Sequence, residues 1–182
     1  MNKKRTAWGN KKWRLDIYEL TKPDGEKVET AVVRHPGAVV LVPIDEMGNV
    51  LMLKQYRLPL DQTILEIPAG TRESKQEEWE VCAQRELREE TGFRANKFVD
   101  LGIMWPLPGT SDEELKLFLA TELTPDPLPQ DFDEVIEVVP MPLDDLCKMA
   151  LDGRMQDMKS CAALLRVNAY LNLSSANAKA DA

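Results

Sequence analysis

Residues 37–44, G-A-V-V-L-V-P-I, form an almost unbroken apolar run of strand-forming residues. A strand with one wet face alternates between apolar and polar residues, whereas one covered on both faces does not. The segment therefore predicts a strand that is buried on both sides, with the rest of the chain supplying the covering layers. With 182 residues, 43% hydrophobic and 30% charged, the chain is long enough for one globular domain with a sizeable core and a small appendage.

The remaining elements can be read around this strand. Residues 13–20 alternate, K-P-D-G-E at 22–26 is a turn, and 27–33 reads as the returning strand of a hairpin. A second hairpin is predicted from 37–44 through D-E-M-G-N to 50–57, followed by a short strand at 63–68. A helix spans 77–91, and strands follow at 97–104 and 114–123 on either side of the loop W-P-L-P-G-T-S-D. A Pro-rich loop at 124–133 leads into a strand at 135–141. Helices at 142–151 and about 155–172 precede a tail, 175–182, expected to be disordered. This order of strands, one helix, strands and helices predicts an α+β fold, a sandwich with a mixed sheet rather than a doubly wound one.

Composition removes several functions. A net charge of −8 argues against a nucleic-acid backbone as partner, although an acidic protein can handle phosphates through a divalent cation. No apolar run is long enough for a membrane span, and the basic N-terminus lacks the apolar stretch of a signal peptide. Cys82, Cys147 and Cys161 are scattered without metal-ligand spacing, which predicts free thiols in a reducing cytoplasm. His35, the only histidine, lies in a Pro-Gly turn and reads as structural, so a histidine triad or zinc site is not expected.

The stretch R-E-L-R-E-E-T-G-F at 85–93 carries three glutamates within five positions of the predicted helix. At about 100° per residue, Glu86 and Glu90 share a face beside the apolar stripe of Trp79, Ala83 and Leu87. Like charges one turn apart repel, and Glu90 lies toward the helix C-terminus, where the dipole disfavours anions. These residues alone admit a solvated face or a cation site.

The surrounding residues narrow the choice. Glu77, Arg85-Glu86-Leu87, Glu89-Glu90 and Gly92-Phe93 stand in the register of the Nudix box, G-x5-E-x7-R-E-U-x-E-E-x-G-U with U bulky and apolar. One departure is visible: six residues, T-R-E-S-K-Q, separate Gly70 from Glu77 where the family has five. Q-Y-R at 55–57, L-E-I-P-A-G at 65–70, P-G-T-S-D-E at 108–113 and D-G-R-M-Q-D-M-K-S near the end resemble the ADP-ribose pyrophosphatase branch. So does Pro108, fifteen residues after Phe93.

The resemblance implies a Nudix-type α/β/α sandwich over 37–174 and hydrolysis of ADP-ribose or related nucleoside diphosphate sugars. It implies Mg2+, with Mn2+ as an alternative, held by Glu86, Glu89, Glu90 and the Ala69 carbonyl. Arg85 would orient the acidic cluster, and Arg57, Glu66 and Pro108 would contact substrate. The general base would be a loop acid: Glu134 is favoured over Asp131, Asp133 and Glu137, with Glu113 and Glu114 as runners-up. Trp105 reads as a core aromatic under its loop or as a stacking platform. Residues 1–36 would form an N-terminal antiparallel β segment that makes a homodimer. Other readings are a non-catalytic nucleotide-sugar sensor with this fold, or hydrolysis of GDP-mannose or a dinucleotide.

Overall fold

A computed structural model describes residues 2–10, 12–130 and 135–180. Within them the strands are β1 (Asn2–Gly9), β2 (Arg14–Thr21), β3 (Lys27–Arg34), β4 (Ala38–Pro43), β5 (Asn49–Arg57), β6 (Gln62–Glu66) and β7 (Ala69–Thr71). Helix α1 (Trp79–Thr91) is followed by β8 (Phe93–Met104), β9 (Leu115–Pro125) and β10 (Ile136–Pro142), then α2 (Leu143–Asp152) and α3 (Met158–Ala180). They form three sheets, ordered β1-β2-β3, β10-β5-β6 and β7-β4-β9-β8.

β4 is buried at every position, as its composition requires. Val39 and Leu41 pack with Cys82, Ala83 and Leu87 of α1. Ala38, Val40 and Val42 belong to the opposite cluster, with Met52, Ile67, Leu146 and Leu164. Alternate residues thus enter separate cores, and burying each Val or Leu contributes about 1.5–3 kcal/mol. The α/β/α sandwich and its mixed sheet stand as expected: β4 pairs parallel with β9 and antiparallel with β7.

The second predicted hairpin does not hold together. Its turn forms, with Asp45 Oδ1 accepting the amides of Met47 at 2.9 Å and Asn49 at 2.8 Å. Beyond one bridge, Ile44 to Val50, the two strands part into different sheets. Both edges of β4 are taken by distant strands, and β5 pairs instead with β6 and β10. Local turn chemistry names neighbours in sequence, but only tertiary packing decides neighbours in a sheet.

Several element bounds also move. β1 adds a strand ahead of the predicted hairpin, and β8 starts at Phe93, directly after the Gly92 cap (φ 78°). α3 starts at Met158, after Asp157, whose carboxylate accepts the Ser160 amide at 3.1 Å as a helix cap. It then runs to Ala180, through most of the predicted tail. Alanine favours the helix there, and the hydroxyls of Ser174 and Ser175 donate to the carbonyls of Tyr170 and Leu171.

Candidate active site

The helical spacing that puts Glu86 and Glu90 on one face also carries both against the sheet, leaving them 9% and 3% exposed. Each carboxylate is held. Glu90 Oε2 accepts the amide of Ala69 at 2.9 Å, tying the last turn of α1 to the start of β7. Arg85 donates to Glu86 at 2.6 Å, to Glu89 at 3.1 Å and to Glu77 at 3.2 Å. Partial burial works against the Arg85 charge, but the Glu86 charge and the hydrogen bonds to Glu77 and Glu86 outweigh it and raise its pKa.

Gly70 makes room for the Glu86 carboxylate between helix and strand. A Cβ there would lie 1.8 Å from Cδ of Glu86 and 2.0 and 2.3 Å from its two oxygens, so the carboxylate occupies the space a side chain would need. Beside it Cys82, buried between the same elements, has its thiol pushed up to about 12 by burial and by the charges of Glu86 and Glu77. It is no thiolate nucleophile at neutral pH.

These groups open onto a cleft of about 600 Å³ whose lining includes Arg57, Ala69, Gly70, Arg85, Glu86 and Glu89. Acids meet cations here, as binding an anionic ligand through a cation would require. Arg57 is fixed from behind: its Nε and Nη2 donate to the two oxygens of Glu66 at 2.7 and 2.8 Å. Lys159 of α3 also donates to Glu66, and to Asp157 at 3.0 Å.

Among the residues expected to contact substrate, then, Arg57 lines the cleft, while Glu66 lies behind it at 1% exposure with both oxygens engaged. Pro108 is exposed on its loop and absent from the cleft lining. Trp105 is 65% exposed, contrary to the core reading. Glu113 lies 3.6 Å from His35 Nδ1, and the Glu114 carbonyl accepts the Ala38 amide; neither residue lines the cleft. Asp131, Asp133 and Glu134 lie outside the described residues, while Glu137 sits on β10, paired with Lys54 at 3.2 Å. Lys159 stands in the D-G-R-M-Q-D-M-K-S motif, but its role is not readable there, because nothing local links it to a carboxylate 93 positions earlier.

A model of the NUDIX domain matches residues 33–164. The chain belongs to the Nudix family.

This Nudix protein is similar to the ADP-ribose pyrophosphatase of Bacillus subtilis, with 38% identity over 166 residues, 89% of this chain and 87% of the relative. It is 34% identical to the methanol dehydrogenase activator of Bacillus methanolicus, over 90% of this chain and 86% of the relative. The crystal structure of an ADP compounds hydrolase shares the fold, with a TM-score of 0.80 at 22% identity and coverage of 93% and 92% of the two chains.

Nudix hydrolases generally use divalent metal ions, and the donors present suit one. Glu86, Glu89 and Glu90 are hard oxygen ligands, and the cradle at Gly70 sets the Glu86 carboxylate directly against the strand that carries Ala69. Among the described residues no three acidic, histidine or cysteine groups form a ready-made cage. Arg85 and the Ala69 amide divide the carboxylates between them, so a cation would bind by drawing them together. Gly70→Ala tests the cradle. The side chain it meets is the end of a flexible carboxylate, so the fold should lose about 1 kcal/mol, the low end of overpacking. Turnover should fall roughly thirtyfold as Glu86 is displaced from its position. Urea melts and metal-activated turnover on one preparation check both halves; parallel losses would refute the cradle.

Proposed function

We propose that this protein is a Mg2+-dependent hydrolase of the pyrophosphate in ADP-ribose or a closely related nucleoside diphosphate sugar. Water adds to one phosphorus and the bridging P–O bond breaks, giving a nucleoside monophosphate and a sugar phosphate. The observation that carries the reading is the convergence of Glu86 and Glu89 with Arg57 on one cleft floored by Gly70, with Glu90 buried on the same helix face. The name of the Bacillus subtilis relative supports the sugar-nucleotide class.

In this reading Glu86, Glu89, Glu90 and the Ala69 carbonyl would hold a divalent ion, which when bound would supply charge neutralisation and polarisation at the pyrophosphate. Arg57, braced by Glu66, holds a phosphate oxygen, and Arg85 keeps the carboxylates oriented. Glu134 takes the proton of the attacking water. The three-stranded sheet of residues 2–34, which presents the exposed Trp8 and Trp13, joins two copies into a homodimer. Residues 37–174 form the hydrolase unit. No helix among the described residues is long and apolar enough to cross a membrane, and we assign the protein to the cytoplasm.

The test is release of monoester products from ADP-ribose, GDP-mannose and a dinucleotide, read with a coupled phosphatase in Mg2+ and in EDTA. ADP-ribose should be cleaved in Mg2+, and EDTA should abolish cleavage. Tight sugar-nucleotide binding without product would identify a sensor and reject the hydrolase.

A further inference from the structure

We propose that Arg72 is a positioning residue for the acidic helix, holding the long loop before α1 so that Glu77 takes a share of Arg85 from Glu86 and Glu89. The inference rests on the metal-dependent reading above and concerns a residue at a position the motif leaves unspecified.

Arg72 is only 9% exposed, yet among the described residues its guanidinium pairs with carbonyls rather than with a carboxylate. Its Nε donates to the Glu77 carbonyl at 2.7 Å, its Nη2 to the Lys75 carbonyl at 2.7 Å and also to that of Glu77, and its Nη1 to the Pro36 carbonyl at 3.3 Å. The guanidinium carbon lies 4.1 Å from the ring centroid of Trp79, the first residue of α1. The six-membered ring of that indole also meets Gly37, where a Cβ would come within 2.6 Å of Cη2. One planar side chain therefore ties together the link from β3 to β4, the six-residue loop and the start of the helix. A buried arginine whose three nitrogens each donate to a backbone carbonyl acts as a template for the loop.

The loop matters because of where it delivers Glu77. With the Glu77 carbonyl fixed by Arg72, its carboxylate accepts the Glu73 amide at 2.7 Å and Arg85 Nε at 3.2 Å. Arg85 is thereby shared between Glu77 and the pair Glu86 and Glu89. If Glu77 withdraws, Arg85 pairs more fully with those two carboxylates, and a divalent cation must displace it. Loss of Arg72 should thus weaken the metal without touching the substrate.

The test measures Mn2+ affinity by electron paramagnetic resonance of the free ion, for wild type, R72Q, R72K, E77Q and R72Q/E77Q, with thermal midpoints recorded. R72Q should weaken Mn2+ about tenfold, the scale of lost outer-sphere support. R72K should lose as much, since an ammonium lacks the planar fork. The double variant should bind no more weakly than E77Q alone, because both changes act through one carboxylate. Wild-type Mn2+ affinity in R72Q or R72K, or a double loss equal to the product of the single losses, would overturn the proposal. If the wild type binds Mn2+ but cleaves no sugar nucleotide, the substrate reading fails, while the ratio of R72Q to wild-type affinity still decides the role of Arg72.

Discussion

Replacement of Glu90 by glutamine should lower Mg2+-dependent turnover about a thousandfold, ~4 kcal/mol of barrier, while the protein stays folded. Glu90 is 3% exposed, and its Oε2 accepts the Ala69 amide at 2.9 Å. Glutamine has the same length and retains a carbonyl oxygen for that bond, so the junction of α1 and β7 survives. What disappears is the negative charge, and a neutral amide is a far poorer ligand for a hard divalent ion. Helix melting should stay within about 1 kcal/mol of wild type. Unchanged turnover would remove Glu90 from the metal site. Glu134→Gln, assayed alongside, should lose rate and keep Mn2+ affinity, which separates a proton acceptor from a metal ligand.

Glu66→Gln is expected to reduce stability by about 3 kcal/mol, the scale of breaking a buried ion pair on one side. The Glu66 side chain is 1% exposed and lies between Arg57 and Lys159. With the charge gone, two cations face each other across an amide that can accept from only one oxygen. Arg57, 36% exposed, can turn to water, whereas Lys159, 16% exposed, cannot do so as easily. Most of the cost therefore falls on Lys159. Adding Lys159→Met should recover part of the loss, and a chain of this length should melt roughly 6–12 °C lower with Glu66→Gln alone. Denaturant titration of the single and double variants checks this. A single-variant loss below about 1 kcal/mol would show that Glu66 is not the anchor of the cluster.

Much of the helix chemistry was legible in sequence because α-helical geometry is local. A spacing of four residues settles that Glu86 and Glu90 share a face, and the apolar stripe of Ala83 and Leu87 settles which way that face leans. The composition of residues 38–43 likewise determined burial on both sides of β4, since no polar residue there can face water. Strand partners were another matter. The turn at 45–49 forms as expected, yet β4 pairs with β9, 77 positions on, because sheet edges are filled by whichever strands the packed layers bring together.

The supports of the site have the same origin. Gly70 could be recognised as a motif residue, but that its missing Cβ makes room for Glu86 depends on how closely α1 lies over β7. The bracing of Arg57 through Glu66 to Lys159, and the capture of three carbonyls by Arg72, join segments with no shared periodicity. By itself the sequence determined the identity and helical register of the acidic groups, because covalent spacing and helix pitch suffice for that. Only the tertiary structure decided which cations and backbone groups hold them, because those partners meet through packing between distant parts of the chain.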